Sequence, residues 1–292
     1  MKNSVFETAD KGILCPSDYK QKKYKLLYCG LVLYMVVYGV VVFIPVLWML
    51  LFGFKEPIEI ISKTPTFFPK EINLGKIAYV WSNYKIYTYY LNTLIMAAGC
   101  VVFDVIVSGI TGYVLSRVKP KGSRFYFTFL FALMLLPATN SMVTNFKLFR
   151  DLHMLNSFLP IWFMSAINIF NILLFKTSFD GISRSLIEAA QIDGASNIRI
   201  FFKIVIPLSV PVITTVAIFT FNGQFGNFFW PYLLITDPKK MVMGVRLFEL
   251  TSKVSMDIRM ILVLFSIIPQ LIIFAVFQKK IVGGINIGGV KG

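Results

Sequence analysis

Long runs almost free of charged side chains alternate along the chain with short clusters of Lys, Arg, Asp and Glu. The first extends from Leu26 to Phe54, beyond the roughly 20 residues that cross hydrocarbon. Five more follow at about Tyr89–Ser116, Phe125–Val143, Leu155–Phe175, Pro207–Ile235 and Met260–Phe277. Backbone N–H and C=O groups in lipid need internal partners, so runs of this length predict helices rather than barrel strands of about ten residues. The expectation is an all-α integral membrane protein of about six transmembrane helices. Pro45, Pro137, Pro160, Pro207, Pro211 and Pro231 fall in or beside these runs, where proline marks kinks or helix starts.

Composition agrees. Of 292 residues, 57% are hydrophobic and 15% charged, against roughly a quarter charged in soluble domains, and mean hydropathy is +0.72. A net charge of +15 raises nucleic acid as a partner, because basic patches neutralise phosphates. Lys and Arg sit instead at the ends of apolar runs, as topology signals and contacts for anionic lipid, so no nucleic-acid partner is expected. The tight loop with Arg117, Lys119, Lys121 and Arg124 is the clearest inside marker. With both termini inside, Lys and Arg favour the inner side, although the outer stretch Lys55 to Lys85 is itself basic. This predicts a cytoplasmic tail over 1–25, a transmembrane domain over 26–278 and a cytoplasmic tail over 279–292. The polar N-terminal tail, with no small-residue cleavage site after a short apolar core, predicts a retained segment rather than a signal peptide. Cys15, Cys29 and Cys100 form neither a disulfide framework nor a metal-ligand spacing.

One loop, 183–206, between the fourth and fifth runs, differs from the rest. Ser185 and Glu188 have the spacing of a capping box, predicting a helix start. Ala189 and Ala190 favour helix, and Gly194 permits the left-handed turn that closes it. A second short helix then carries Phe201 and Phe202 before Pro207 opens the next span. Small and apolar residues outside the membrane suit either a docked partner or an amphipathic loop lying on the bilayer.

The order Glu188-Ala189-Ala190, Asp193-Gly194-Ala195, Phe201, Ile206-Pro207 resembles the EAA loop of binding-protein-dependent ABC importer permeases. Asn92-Thr93-Leu94, Gly112 to Arg117, Leu136-Pro137, Leu152 to Asn156, Thr236 to Lys240 and the end Phe277 to Gly284 and Val290 to Gly292 are similar to the carbohydrate (MalG-like) subgroup. Two positions depart: Ser183 stands where many relatives have Pro, and Gly226 where the subgroup commonly has Asn. The resemblance implies that the loop is a cytoplasmic coupling helix seated on an ATPase subunit. Glu188, Ala189, Ala190, Asp193, Gly194, Ala195, Phe201 and Pro207 are then its coupling residues. It implies a bacterial inner-membrane location, a second permease subunit, two cytoplasmic ATPase subunits and an extracytoplasmic sugar-binding protein. No GxxxxGK phosphate loop occurs, so no ATP site is visible in this chain. The expectation is a non-catalytic subunit without a cofactor, ATP and Mg belonging to the partner ATPases.

Candidate substrate contacts are Asn222, Gln224, Asn227 and Trp230, since amides and aromatic faces suit sugar hydroxyls and ring faces. Helix–helix hydrogen bonding is the alternative for the amides. Asp104 is the one acid within a run, a candidate polar site, or a group facing a wet cavity or the partner permease. The function expected is half of a translocation pathway for a sugar or oligosaccharide. Alternatives are a permease for another small solute such as a glycerol phosphate, a gradient-driven secondary transporter, or a non-transporting membrane scaffold.

Overall fold

The computed structural model describes residues 22–62, 66–135 and 141–285, with side chains over 24–62, 66–135 and 141–278. Cys15, Leu136, Pro137, most of the N-terminal tail and the Val290 to Gly292 motif lie outside the described residues.

Two compact units divide at Ile72 and Asn73. In the first, α1 (Lys22–Phe54) is an uninterrupted helix containing Pro45, with apolar side chains exposed on every face. That is the pattern of a helix whose solvent is lipid. A short α2 (Pro57–Ile61) follows. Lys55 is buried, donates to the Thr66 carbonyl and lies 4.7 Å from the centroid of the Phe52 ring. Thr66 in turn donates to Glu59 Oε1 at 2.5 Å, the largest of the contacts that lower the Glu59 carboxyl below its ordinary range.

The second unit begins with α3 (Leu74–Asn83) and then α4 (Ile86–Tyr113), which continues through a π-helical turn at Val114–Val118. Next come α5 (Ser123–Leu133), α6 (Met142–Asp151), α7 (Leu159–Ala166) and α8 (Ile169–Asp180). The inner loop supplies α9 (Arg184–Ile192), α10 (Asn197–Ile200), a π-helical turn at Phe201–Val205 and α11 (Ile206–Leu208). The chain closes with α12 (Val210–Phe225), α13 (Phe229–Leu234), α14 (Met243–Thr251) and α15 (Met256–Ile285). No strand occurs among the described residues.

Helix α4 is central and packs against α7, α8 and α12. Glycine makes the closest approach possible: a Cβ on Gly112 would lie 2.7 Å from Phe175 Cβ and 3.0 Å from the Lys176 nitrogen, and one on Gly99 2.1 Å from the Trp162 indole. Two apolar clusters form at opposite ends of this helix. One gathers Tyr113, Phe175, Phe179, Ile200, Phe201 and Val205, the other Ile86, Met96, Phe149, Leu234, Met243 and Leu262.

By length and composition, α1, α4 with its π turn, and α15 are each able to cross a membrane. The spans expected as single helices elsewhere are broken. The fourth is α7 plus α8, bent by 47°; the fifth is α12, set off by 77° from the segment Asn197–Leu208. Helix α12 ends at Phe225, so the stretch to Ile235 expected to complete it is a break and the separate α13. Pro160 and Pro211 stand in the first turns of α7 and α12, where the missing N–H costs nothing. The third predicted span is described as the helix α5 only as far as Leu133.

Candidate functional site

The inner loop is a pair of short helices fixed on one side and open on the other. Helix α9 starts at Arg184 with Ser183 as N-cap and no side-chain cap bond, while Ser183 Oγ and Ser185 Oγ lie 2.7 Å apart. The capping box expected at Ser185 and Glu188 therefore does not form: Ser185 is already inside the first turn and Glu188 is exposed. The C-terminal end is as expected. Gly194 takes φ +78°, its N–H reaches the Gln191 carbonyl at 3.0 Å, and Ala195 N–H reaches the Ala190 carbonyl at 2.9 Å. Those are the paired bonds of a Schellman ending. Ser196 caps α10 through the Arg199 N–H.

The fixed side is apolar. Ile187 and Phe201 are buried in the cluster around Tyr113, and Ala190 and Ala195 pack against it. The Phe201 ring lies 4.9 Å from that of Tyr113, whose hydroxyl donates to the Asn197 carbonyl at 3.1 Å. Beside this contact, Arg117 donates to the Phe179 and Ile182 carbonyls at the end of α8, and Ser116 donates to Asp180 Oδ1 at 2.6 Å. Arg117, a topology marker and the last residue of the Gly112 to Arg117 motif in the sequence, also ties the end of α4 to α8. The open side presents Ala189, Asp193, Gly194 and Pro207, together with Ile192, 87% exposed, and Ile198, 73% exposed, while Glu188, also exposed, lines a cleft of about 260 Å³ with Tyr113, Arg117, Lys119 and Ile187. Neither isoleucine was singled out in the sequence, because helical period alone does not say which of two apolar faces meets the membrane core.

A cavity of about 600 Å³ opens where span four breaks, lined among the described residues by Met134 after α5, by residues of α7, α8 and α12, and by the intervening Ile167 and Asn168. Gln224 lines it, and Gln224 Oε1 accepts from Asn227 Nδ2 at 2.9 Å. Asn222 is exposed, two residues and about 200° away around the helix. Trp230 packs on the apolar cluster at the opposite end from the loop. The structure therefore joins Gln224 and Asn227 and separates Asn222 and Trp230 from them.

Asp104 lies within the packing of α4, α8 and α12. It is fully buried, and Oδ1 accepts from Ser108 Oγ at 2.7 Å while Oδ2 accepts from Asn171 Nδ2 at 2.6 Å and from Thr220 Oγ1. Three donors from α4, α8 and α12 thus converge on one carboxyl, and Asn171 and Thr220 also line the cavity. Sequence gave no sign of this, since the four residues span 116 positions.

At the other end of α4, three separated motifs meet. Asn92 Nδ2 donates to the Lys239 and Met241 carbonyls, and Thr93 Oγ1 accepts from Met243 N–H at 2.9 Å. Asn156, at φ +57°, accepts through Oδ1 from the N–H groups of Thr236 and Asp237 at 2.7 and 2.9 Å.

Residues 106–286 match the family model described as binding-protein-dependent transport system inner membrane component. The galactooligosaccharides transport system permease protein GanQ of Bacillus subtilis is 31% identical over 290 residues, covering 94% of this chain and 99% of that protein. The diacetylchitobiose uptake system permease protein NgcG of Streptomyces coelicolor is 27% identical over 260 residues, covering 87% and 86%. Among solved structures, a chain of a bacterial ABC transporter involved in import of the acidic polysaccharide alginate superposes with a TM-score of 0.78. It is 24% identical, with 89% of this chain and 98% of that one covered.

Proposed function

The chain belongs to the family of binding-protein-dependent transport system inner membrane components, and from that membership we propose that it forms half of the translocation pathway of an ATP-driven oligosaccharide importer. The family makes it a multi-pass membrane permease component. The relatives named for galactooligosaccharides and diacetylchitobiose support an oligosaccharide as cargo.

The observation that carries the reading is the two-sided inner loop. Its anchored side holds Ile187, Ala190, Ala195 and Phe201 in the membrane-end core; its open side offers Ala189, Asp193, Ile192 and Ile198, with Glu188 exposed in the cleft beside Arg117. Exposed isoleucines on a rigid polar-rimmed knob favour a protein partner over solvent. In this reading the partner is a cytoplasmic ATPase subunit, Glu188 to Pro207 is the coupling segment, and both termini are cytoplasmic. A second permease subunit completes the pore, and an extracytoplasmic binding protein delivers the sugar. ATP and Mg reside in the ATPases, and this chain transduces without catalysing. A gradient-driven carrier would need an exchangeable charge on the path; Asp104, the acid nearest to such a role, is sealed among three donors.

The test is mild-detergent purification with identification of the co-purifying chains, followed by ATP-driven uptake of the sugar that the co-purifying binding protein retains. Recovery of an ATPase and a second permease, with uptake that stops when ATP is withheld, is the expected result. A chain that transports with no ATPase bound overturns the reading.

A further inference from the structure

We propose that Asp104 is a positioning residue for the cavity at the α7–α8 break, holding Asn171 and Thr220 so that the cavity accepts uncharged sugar surface and excludes anionic sugars. This rests on the permease reading and narrows its substrate class.

The floor of the cavity is set from below. Asn171 Nδ2 is directed to Asp104 Oδ2 at 2.6 Å and to Thr220 Oγ1 at 3.2 Å, and the Thr220 hydroxyl proton goes to the same carboxyl oxygen. The donors of both floor residues are therefore consumed beneath the surface. What remains for a ligand at the floor is acceptor character, the Asn171 carbonyl and the one Thr220 lone pair that Asn171 does not take. Farther up, Asn168 Oδ1 accepts from Asn171 N–H and Gln224 Oε1 from Asn227, which leaves their amide N–H groups as donors. Among the described residues, none that lines the cavity is charged.

Sugar hydroxyls both donate and accept, so they satisfy acceptors below and amide donors above. A carboxylate, sulfate or phosphate cannot donate, and it would shed its water without meeting a cation, which is the costly case for burial. Asp104 creates the asymmetry because both of its oxygens accept. An asparagine there brings one oxygen and an NH₂ group that itself needs acceptors, so a floor donor is released toward the cavity.

Gly223 lines the cavity, and a Cβ built there meets nothing within 4 Å. Gly223→Cys in the reconstituted importer, with Cys15→Ser and Cys29→Ser and the buried Cys100 retained, is a reporter. It is treated with neutral hydroxyethyl and anionic sulfonatoethyl methanethiosulfonate, each rate scaled to that reagent's rate with a free thiol. The anionic reagent is expected to react about tenfold more slowly than the neutral one, the direction that unpaired burial of charge requires. Asp104→Asn is expected to shrink that ratio by about threefold or more, with Asp104→Ser serving as a second neutral variant. Equal scaled rates in the reporter alone, or an unchanged ratio in an assembled Asp104 variant, overturns the proposal. Modification of the reporter must also stop ATP-driven uptake. Uptake that persists with the ATPases bound removes the cavity from the pathway and defeats this proposal while leaving the permease reading in place. Failure to recover any ATPase defeats that reading instead.

Discussion

Truncating Ile192 to Ala should weaken ATPase docking while leaving the membrane unit intact. Ile192 is 87% exposed on the open side of α9, so the chain's own fold gains little from it. Full burial of an isoleucine stabilises by about 1.5–3 kcal/mol, and losing most of that on truncation is about 2 kcal/mol. That corresponds to roughly 30-fold weaker docking. Ile187, five residues earlier and only 8% exposed, faces the membrane-end core. Ile187→Ala should cost about 2–5 kcal/mol of folding stability through the cavity it leaves. The pair therefore separates docking from folding on one helix. The assay titrates purified ATPase against the permease pair in lipid discs and records retained ATPase, thermal stability and ATP-driven uptake. Ile192→Ala should lower retention and uptake with the melting temperature unmoved, and Ile187→Ala should lower the melting temperature. Parent-level retention in Ile192→Ala at limiting ATPase would refute the assignment of this face.

Gly194→Ala should cost about 1–2 kcal/mol, because φ +78° is a left-handed conformation. The space around its Cβ is open, so Gly194→Asn should retain more uptake per ATP hydrolysed than Gly194→Ala. Glu188→Ala should abolish ATP-driven uptake while circular dichroism shows the spans intact, since the side chain is exposed; normal uptake would exclude a coupling role. Gly112→Ala should lower the melting temperature in detergent, as its Cβ would press 2.7 Å from Phe175 Cβ and force α4 from α8 at about 1–3 kcal/mol. Gly109→Ala, 3.9 Å from the nearest ring atom, is the mild control. Asn156→Ala removes the acceptor for two backbone N–H groups, about 0.5–1.5 kcal/mol for each hydrogen bond lost, since water can reach these donors. Hydrogen exchange at Thr236 and Asp237 should accelerate selectively.

How much of this was legible follows the range over which each determinant acts. Span one, the helical class and the Gly194 turn were readable because apolar run length and the left-handed preference of glycine are local. The start of α9 was misplaced by a local rule as well: Ser185 and Glu188 fit the capping spacing, but Ser183, two residues earlier, takes the cap position. The breaks at Ile167–Asn168 and after Phe225 were not readable. An apolar run has the same composition whether its backbone continues or yields to a cavity, and the neighbours that re-satisfy freed groups come from other helices. Asp104 was visible as an anomaly but not as a solution. Its partners Asn171 and Thr220 lie 67 and 116 residues away and look from sequence like any polar residue between helices.

Helix α4 carries the three places where the chain's functional contacts meet. At one end Asn92 and Thr93 hold the 239–243 backbone; midway Asp104 gathers donors from α8 and α12; at the other end Tyr113 donates to the coupling loop at Asn197, and Ser116 and Arg117 grip the end of α8. Backbone contacts at Gly112 leave no slack between α4 and α8, and close-packed interiors transmit displacement rather than absorb it. Under the proposed function, a pull on α9 and α10 would reach α4 through the Tyr113 hydroxyl and the Phe201 ring. One π-helical turn, Val114–Val118, follows Tyr113 directly, and the other, Phe201–Val205, carries Phe201 itself. In both, i→i+5 bonding replaces the regular ladder. In the same reading, motion imposed on the loop would enter α4 at Tyr113 and pass along that helix to the donors that Asp104 gathers.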